Sequence, residues 1–203
     1  MAILWKKVHQ DTTYEVRTAG KTRRLYSNGL LHSQINPNKA VTGYVWDLLM
    51  LPAFFFKKAE IKRVLVLGVG GGSVITLLQR FVRPKIIIGI ELNPIHLYIA
   101  KRFFYMNAKS VQLTQADAWE WLQKYRGPAF DMVVDDVFAQ AKDPQRAITA
   151  SKQWIKLMHK HLAKNAVLVS NFISMQEFTN SAYVNEACVR KLFPCAFFGI
   201  LAP

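Results

Sequence analysis

Residues 63–136 contain four apolar runs, and each run ends in glycines or carboxylates that could carry chemistry. The first ends in the glycine-rich stretch GVGGG, and the others end at Glu91, at Asp117 and at the pair Asp135-Asp136. The carboxyl ends of strands in an open parallel sheet meet at one edge, where such folds bind ligands. We therefore expect one crevice suited to an adenine nucleoside-type cofactor.

The glycine-rich stretch stands between a predicted strand and a predicted helix and consists of Gly68, Val69, Gly70, Gly71 and Gly72. Glycine lets the chain turn sharply and lets backbone amides approach a ligand without an intervening Cβ. Alone it is a weak signal, because a tight strand-to-helix turn needs glycine for packing as well. Glu91 strengthens it, since an acid about 20 residues on, at the end of the next strand, is placed to bind both hydroxyls of a ribose.

Asp117 and Ala118 follow the third run, where the amino group of an adenine could be bound. Asp135 and Asp136 are adjacent in a strand and so point to opposite sides. One of them can face the crevice, as a general base or as a partner for a cationic sulfonium or amine, while the other caps a helix or pairs with a lysine. Each acid alone is equally explained as a cap or a surface residue. Their order, each at a strand end, favours a ligand site.

The composition indicates one globular domain with a small appendage. The chain has 203 residues, of which 51% are hydrophobic and 20% charged, enough apolar side chains for a sizeable core. It has no apolar run of the roughly 18–20 residues that span a membrane, and its first residues lack the apolar core of a secretory signal. Two cysteines, Cys188 and Cys195, are expected to be buried thiols of a cytoplasmic protein. No metal site is predicted.

The chain is strongly basic, with a formal net charge of +14 and a pI of about 9.9. Such an excess favours anionic partners, either nucleic acid or an acidic membrane surface, but a solvated basic surface explains it equally well. A row of lysines recurs every fourth residue, at Lys152, Lys156, Lys160 and Lys164, and is expected to be a solvated face. No nucleic-acid motif accompanies it.

The pattern of apolar residues predicts an α/β fold with a doubly wound, mostly parallel sheet over residues 39–203, preceded by a small antiparallel β region at 1–38. In that first region strands are expected at 12–18, 22–26 and 30–35, followed by a helix at 40–56. Further strands are predicted at 63–67, 85–91, 111–115, 130–135, 166–171 and 194–200. Further helices are predicted at 73–82, 94–105, 117–125, 144–163 and 176–191.

The order of VLVLGVGGGS, GIELNP, QADAWEWL and FDMVVDD resembles that of class I S-adenosylmethionine-dependent enzymes, whose fold is Rossmann-like. It is most similar to the spermidine/spermine synthase family. The resemblance extends upstream, where RRLYSNGLLHS is similar to the family's strand-turn-strand and Tyr44–Pro52 to its linking helix. A nicotinamide dinucleotide-binding fold shares the glycines, but the later acids fit it poorly.

The resemblance implies roles for the strand-end residues. Glu91 would hold the ribose, Asp117 and Ala118 the adenine, and the glycines Gly68 to Gly72 the sulfonium end of the donor. Asp136 falls at the family's catalytic aspartate, which helps to deprotonate the attacking amine. The donor would be S-adenosylmethionine or its decarboxylated form. Relatives commonly associate, so a homodimer is an expectation of the resemblance.

Several positions depart from the family pattern. Gly71 occupies the place of an aspartate that contacts the donor's aminopropyl amine, and His32 stands in place of a glutamine. Val45 and Trp46 replace a His-Glu pair, and Ala139 replaces a second acid. A polyamine acceptor is a polycation that needs several carboxylates, and this chain has lost most of them.

Two functions follow from these observations. The first is a spermidine synthase-like transferase that moves a methyl or aminopropyl group to an unidentified acceptor. The alternative is a weakly active or inactive family member whose basic surface binds an anionic partner. A nucleic-acid methyltransferase ranks below both, because no Asn-Pro-Pro-Tyr type of motif is present. Because a strand-end acid contributes little to a core, replacing Glu91 by Ala is expected to abolish nucleoside binding and leave the fold intact.

Overall fold

Two β-sheets form the framework of this computed structural model, which describes residues 1–57, 60–139, 145–193, 195–197 and 199. The first is antiparallel, in the order β1 (Ala2–His9), β2 (Thr12–Ala19), β3 (Thr22–Ser27) and β4 (Leu30–Ile35). Asn28 and Gly29 both have positive φ, of 48° and 85°, as the turn of a two-residue β-hairpin requires. The three predicted strands of this region are confirmed, and β1 adds a fourth.

The second sheet is parallel and five-stranded, formed by β5 (Arg63–Leu67), β6 (Ile86–Glu91), β7 (Val111–Gln115), β8 (Phe130–Asp135) and β9 (Leu162–Ser170). The spatial order is β7-β6-β5-β8-β9, and every neighbouring pair is parallel. Strands β6 and β7 therefore lie on one side of β5 and strands β8 and β9 on the other, so the strand order reverses between β5 and β8. Open α/β sheets bind ligands beyond the carboxyl ends of the strands at such a switch point.

The described helices are α1 (Val45–Met50), α2 (Ser73–Leu77), α3 (Pro94–Phe103), α4 (Ala118–Lys124), α5 (Lys152–His159), α6 (Met175–Thr179), α7 (Ala182–Asn185) and α8 (Ala187–Arg190). A 3-10 helix at Leu51–Phe55 continues α1, and a π-helical turn at Leu78–Val82 continues α2. Helices cover both faces of the sheet, since β5 sends Val64 and Val66 into the core under α1 and α2 and Leu65 into the core under α4 and α5. The predicted doubly wound fold is confirmed.

The long helix predicted at 144–163 is wrong at both ends. Helix α5 begins only after Ser151, whose side chain accepts a hydrogen bond from the Trp154 amide. It ends at His159, and the chain then enters β9 at Leu162, opposite Phe130 of β8. Pairing with β8 satisfies the backbone here, so the apolar residues after His159 belong to the sheet and not to the helix. Residues 140–144 lie outside the described part.

Three other predicted elements differ. The helix expected at 40–56 starts at Val45, and the one expected at 176–191 is three short helices that break at Ser181 and Glu186. Within the strand expected at 194–200, residues 195–197 and 199 lie in no strand, and the others are not described. The buried state expected for the cysteines is also wrong, because Cys188 is partly exposed and Cys195 is exposed.

Lys156, Lys160 and Lys164 are exposed, as was expected of the lysine row, whereas Lys152 is partly buried and lies 3.6 Å from Glu186. The four lysines do not form one helical face, because α5 ends at His159 and Lys164 lies in β9. Over the described part of the chain, no helix has both the length and the apolar character needed to cross a membrane.

Candidate functional site

The carboxyl ends of β5 and β8 meet at Gly68 and Asp136. The Gly68 amide donates to the Ile90 carbonyl oxygen over 2.9 Å, and the Asp136 amide donates to the Leu67 carbonyl oxygen over 2.8 Å. A Cβ at position 68 would lie 2.1 Å from the Asp136 carbonyl oxygen, and Gly68 has a φ of +81°. The two backbones therefore approach so closely that only glycine fits, which brings the glycine-rich loop beside the strand-end acids.

Glu91 at the end of β6 holds this loop from within. One of its carboxylate oxygens, Oε2, accepts hydrogen bonds from the Val69 amide at 3.0 Å and the Gly70 amide at 2.9 Å. The other, Oε1, accepts from the Asn93 amide at 2.8 Å, ahead of α3. Burial raises the pKa of Glu91, but His96 and the amides of Asn93 and Gly70 outweigh it and hold the pKa below its ordinary value. The carboxylate is therefore ionised at neutral pH.

A polar chain extends from Glu91 to the amino-terminal sheet. His96 in α3 places Nδ1 3.8 Å from the Glu91 carboxylate and Nε2 3.1 Å from the Ser27 hydroxyl at the end of β3. The ring of His32 in β4 lies 5.1 Å from the ring of His96. Burial, together with the neighbouring His96, lowers the pKa of His32 to about 4, so His32 is neutral at pH 7. The amino-terminal sheet thus forms one wall of the site.

The same sheet also fills the space behind the glycines. The Gly71 amide donates to the Ser33 hydroxyl over 2.7 Å, and a Cβ at position 71 would lie 2.8 Å from the Ser33 Cβ and 3.1 Å from Phe104. At Gly72, where φ is +93°, a Cβ would meet the Met106 sulfur at 2.7 Å. The loop therefore packs against Ser33 and Phe104 at Gly71 and against Met106 at Gly72, where the left-handed φ also favours glycine.

The two residues predicted to contact the adenine, Asp117 and Ala118, are a helix cap and a core residue. Asp117 is the N-cap of α4, and its side chain accepts from the Glu120 amide over 2.9 Å. Ala118 is buried in the core below α4. Asp117 thus has the capping role that the sequence left open, and the predicted contacts of both residues with an adenine stay predictions.

Asp135 is fully buried and forms an internal ion pair, and the cofactor contact predicted for it stays a prediction. Its Oδ2 accepts from the Arg146 guanidinium at 2.6 Å, from the Trp154 indole at 3.1 Å and from the Ser170 hydroxyl at 3.1 Å. Burial raises the pKa of Asp135 against the opposing effect of Arg146. One strand-end acid does pair with a cation, as the alternation predicted, but the cation is an arginine and not a lysine.

Asp136 is the less buried of the two adjacent acids. It is half-buried, and its Oδ1 accepts from the Asn171 side-chain amide, just beyond β9, over 2.8 Å. Burial raises the pKa of Asp136 to about 7, helped by the charges of Asp135 and Glu91 and opposed by Asn171 and Arg146. A carboxyl group that titrates near neutral pH can take up and release a proton at physiological pH, as a general base requires.

The raised pKa of Asp136 predicts how stability depends on pH. The folded protein holds this proton more tightly than the unfolded chain, so the resulting stabilisation is present below about pH 4 and is lost as pH rises through about 7.

Asp136→Asn, which keeps the shape without the charge, is therefore expected to remove part of the fall in stability between pH 5 and pH 8. Urea unfolding at both pH values measures this. Asp11→Asn, at an exposed turn, should leave the fall unchanged. An unchanged fall in Asp136→Asn as well would contradict the assignment.

Sequence reasoning missed His96, Ser33, Arg146 and Asn171. Asn171 follows the carboxyl end of a parallel strand, so the rule that singled out Glu91 and Asp135 could have found it. Arg146 was hidden inside the wrongly predicted helix, and only the tertiary contacts reveal it. Ser33 and His96 reach the site through the packing of the amino-terminal sheet, for which the sequence carries no local signal.

A cavity of about 190 Å³ lies beside this site and not within it. Its walls are the segment after β4, the outer side of α2 and residues 104–106. None of the strand-end acids lines it. The perturbed acids and the switch point, which carry chemistry, therefore locate the candidate site better than this cavity does. Within the described residues, no three His, Cys, Asp or Glu side chains are grouped so that they could hold a metal ion.

The five-stranded parallel sheet with helices on both faces defines a methyltransferase-like α/β fold, and comparison with known proteins gives the family. The model of the spermine/spermidine synthase domain matches residues 43–198. This chain belongs to that family.

The curated relatives include a polyamine aminopropyltransferase of Vibrio vulnificus, 24% identical over 145 residues, which are 70% of this chain and 46% of that protein. Another is polyamine aminopropyltransferase 2 of Caldanaerobacter subterraneus subsp. tengcongensis, 26% identical over 159 residues, which are 76% of this chain and 50% of that protein. This chain spans about half the length of these relatives.

Solved structures agree on the fold. The spermidine synthase of Thermotoga maritima matches with a TM-score of 0.70 and 13% identity, covering 96% of this chain and 65% of that one. A spermidine synthase in complex with the transition state analogue AdoDATO matches with a TM-score of 0.69 and 11% identity, covering 96% of this chain and 64% of that one.

Proposed function

We propose that this chain is a spermidine synthase-like transferase that binds an S-adenosylmethionine-type nucleoside at the carboxyl ends of β5, β6 and β8. Asp136 acts as the base for the attacking amine. The observation that carries the proposal is the position of Asp136, half-buried at the switch point of the sheet with a pKa raised to about 7. Asp136 also stands at the family's catalytic aspartate.

The proposed transfer is a direct displacement that needs no covalent intermediate with the protein. An ammonium has no lone pair, so the acceptor ammonium loses a proton to Asp136 before the resulting amine nitrogen attacks the donor carbon. The new nitrogen–carbon bond forms while the carbon–sulfur bond breaks, and the sulfonium leaves as a neutral thioether nucleoside. The site contributes alignment and a negative, partly dry environment for the positive donor.

Glu91 would position the donor in two ways. Three backbone amides bind its carboxylate, which has about four lone-pair sites, so it retains the capacity to accept a ribose hydroxyl. By ordering Val69 and Gly70 it also shapes the loop against which the sulfonium end would rest. Asp117 and Ala118 would lie at the adenine.

The group transferred depends on the surroundings of Gly71. The curated relatives are named aminopropyltransferases, which favours the decarboxylated donor. A specific observation favours methyl transfer instead, because Ser33 and Phe104 fill the space where the family's aspartate would bind the donor's amine. Methyl transfer from S-adenosylmethionine is therefore the second candidate.

Calorimetric titration with S-adenosylmethionine, decarboxylated S-adenosylmethionine and methylthioadenosine tests the proposal. Tighter binding of the decarboxylated donor would support aminopropyl transfer, and tighter binding of the carboxylated donor would support methyl transfer. Asp136→Asn should bind the donor as the wild type does, since its place is at the acceptor. Failure of the wild type to bind any of the three nucleosides would contradict the proposal and favour the alternative of a basic binding protein. Homodimer formation and a cytoplasmic location remain predictions.

A further inference from the structure

Arg146 lies between the two strand-end acids and the residues that hold them. Its side chain is almost fully buried, and its guanidinium uses all three nitrogens. Nη2 donates to Asp135 Oδ2 at 2.6 Å, Nη1 to the Asn171 carbonyl oxygen at 2.6 Å, and Nε to the Ile148 carbonyl oxygen at 3.0 Å. The group also lies 5.4 Å from the centre of the Phe172 ring. A planar fork can meet these three acceptors together, and an ammonium cannot.

These contacts join three segments of the chain. Asp135 ends β8, Asn171 follows β9, and Arg146 itself belongs to the connection that leads from β8 to α5. That connection is folded back on itself, since Phe138 pairs with Arg146 and the Ala147 amide donates to the Val137 carbonyl oxygen over 3.1 Å. Arg146 adds hydrogen bonds from this connection to Asp135 and Asn171 at the strand ends.

Asn171 connects Arg146 to Asp136, the proposed base. The backbone carbonyl oxygen of Asn171 accepts from Arg146, its backbone amide donates to the Asp135 carbonyl oxygen over 3.0 Å, and its side-chain amide donates to Asp136 Oδ1 over 2.8 Å. The residue is therefore held at both backbone groups, which aims its side chain at the proposed base. A hydrogen bond to the ionised form of a carboxyl group favours that form.

We infer that Arg146 is a positioning residue of the transfer site: it fixes Asn171 against Asp136 and ties the β8–α5 connection to the strand ends. The inference rests on the proposed role of Asp136 as the base, and it deepens that function by naming the residues that set its state. Asp136 also experiences the charges of Asp135, Arg146 and Glu91. The test must therefore separate position from charge.

Arg146→Lys makes that separation, because it keeps a cation beside Asp135 and loses the fork. The readout is the titration of the Asp136 carboxyl group by carbon-13 NMR in the full chain without any donor, assigned by its absence in Asp136→Asn. Asn171→Ala is expected to raise the midpoint by about one pH unit, since it removes a hydrogen bond to the charged form. Arg146→Lys is expected to raise it in the same direction by a similar amount. Arg126→Lys, at an exposed arginine, is the matched control and should leave it unchanged.

The double variant Arg146→Lys/Asn171→Ala completes the cycle. If Arg146 acts through Asn171, the double variant titrates as Asn171→Ala does. A wild-type midpoint in Arg146→Lys would overturn the inference. A midpoint in the double variant that is about one pH unit above that of Asn171→Ala would also overturn it, because Arg146 would then act on Asp136 directly. Should Arg146→Lys fail to fold, Asp135→Asn/Arg146→Gln is compared with the same double change on the Asn171→Ala background, because the loss of the two charges is then common to both variants. Equal midpoints are expected if Arg146 acts through Asn171, and a further rise of about one pH unit in the triple variant would overturn the inference. Because no nucleoside is present, the result is independent of donor binding, which tests the proposed function separately.

Discussion

Replacing Gly68 by Ala is expected to destabilise the folded protein strongly. The added Cβ would lie 2.1 Å from the Asp136 carbonyl oxygen and 2.7 Å from its carbonyl carbon, both of them backbone atoms that cannot move aside as a flexible side chain could. The φ of +81° adds the strain of a left-handed conformation. Together these costs are about 4 kcal/mol or more, a large share of the roughly 5–15 kcal/mol that stabilises a domain. Urea unfolding followed by circular dichroism measures the loss.

Gly29→Ala is the matched control for this experiment. Gly29 has nearly the same φ, +85°, but a Cβ there would have no atom within 4 Å. Its replacement is expected to cost about 1–2 kcal/mol from backbone strain alone. The difference between the two variants isolates the contact between β5 and β8. Equal losses would mean that the two strand ends do not approach as closely as the structure shows.

Replacing Glu91 by Ala is expected to reduce both nucleoside affinity and stability. The change leaves the amides of Val69, Gly70 and Asn93 without their acceptor, and each buried unsatisfied amide costs about 1–3 kcal/mol. A loss of about 3 kcal/mol in the free energy of unfolding is therefore expected, with at least about a 100-fold loss in nucleoside affinity. The structure thus argues against the expectation that this replacement leaves the fold intact.

Two further variants sharpen the Glu91 experiment. Glu91→Gln keeps the shape but turns one acceptor oxygen into a donor, so it should retain part of the stability and lose most of the affinity. Glu60→Ala removes an exposed carboxylate that accepts one backbone amide, from Lys57 at 2.9 Å, and should change neither quantity by more than about 1 kcal/mol. If Glu91→Ala binds the nucleoside with wild-type affinity in calorimetry, the assignment of Glu91 to the donor site is wrong.

The pKa of Glu91 gives this residue a pH dependence opposite in sign to that of Asp136. Its folded pKa is held below the unfolded value, so its stabilising effect is present at neutral pH and is lost as pH falls through the acid range. The stabilisation from Asp136 is instead lost as pH rises through about 7. The two strand-end acids therefore make stability depend on pH from both sides.

The sequence alone determined the sheet and the order of its polar ends. Strands such as Arg63–Leu67 and Phe130–Asp135 are short, apolar and buried on both faces, so their hydrophobic pattern identifies them without any tertiary information. The glycines after β5 and the acids after β6 and β8 then fall at one edge, because parallel strands bring their carboxyl ends together. Gly68, Glu91 and Asp136 are therefore predicted from the sequence to share one site.

Only the tertiary structure decided what each of these groups contacts. The alternation of a strand shows that Asp135 and Asp136 diverge, but only the contact with Arg146, 11 residues away, identifies Asp135 as the buried acid of the pair. Likewise, the space at Gly71 is set by Ser33, 38 residues earlier in another sheet. Hydrogen bonds and burial depend on packing between distant segments, whereas strand patterns and glycine turns are local, and this is why the sequence could place the site but not assign its partners.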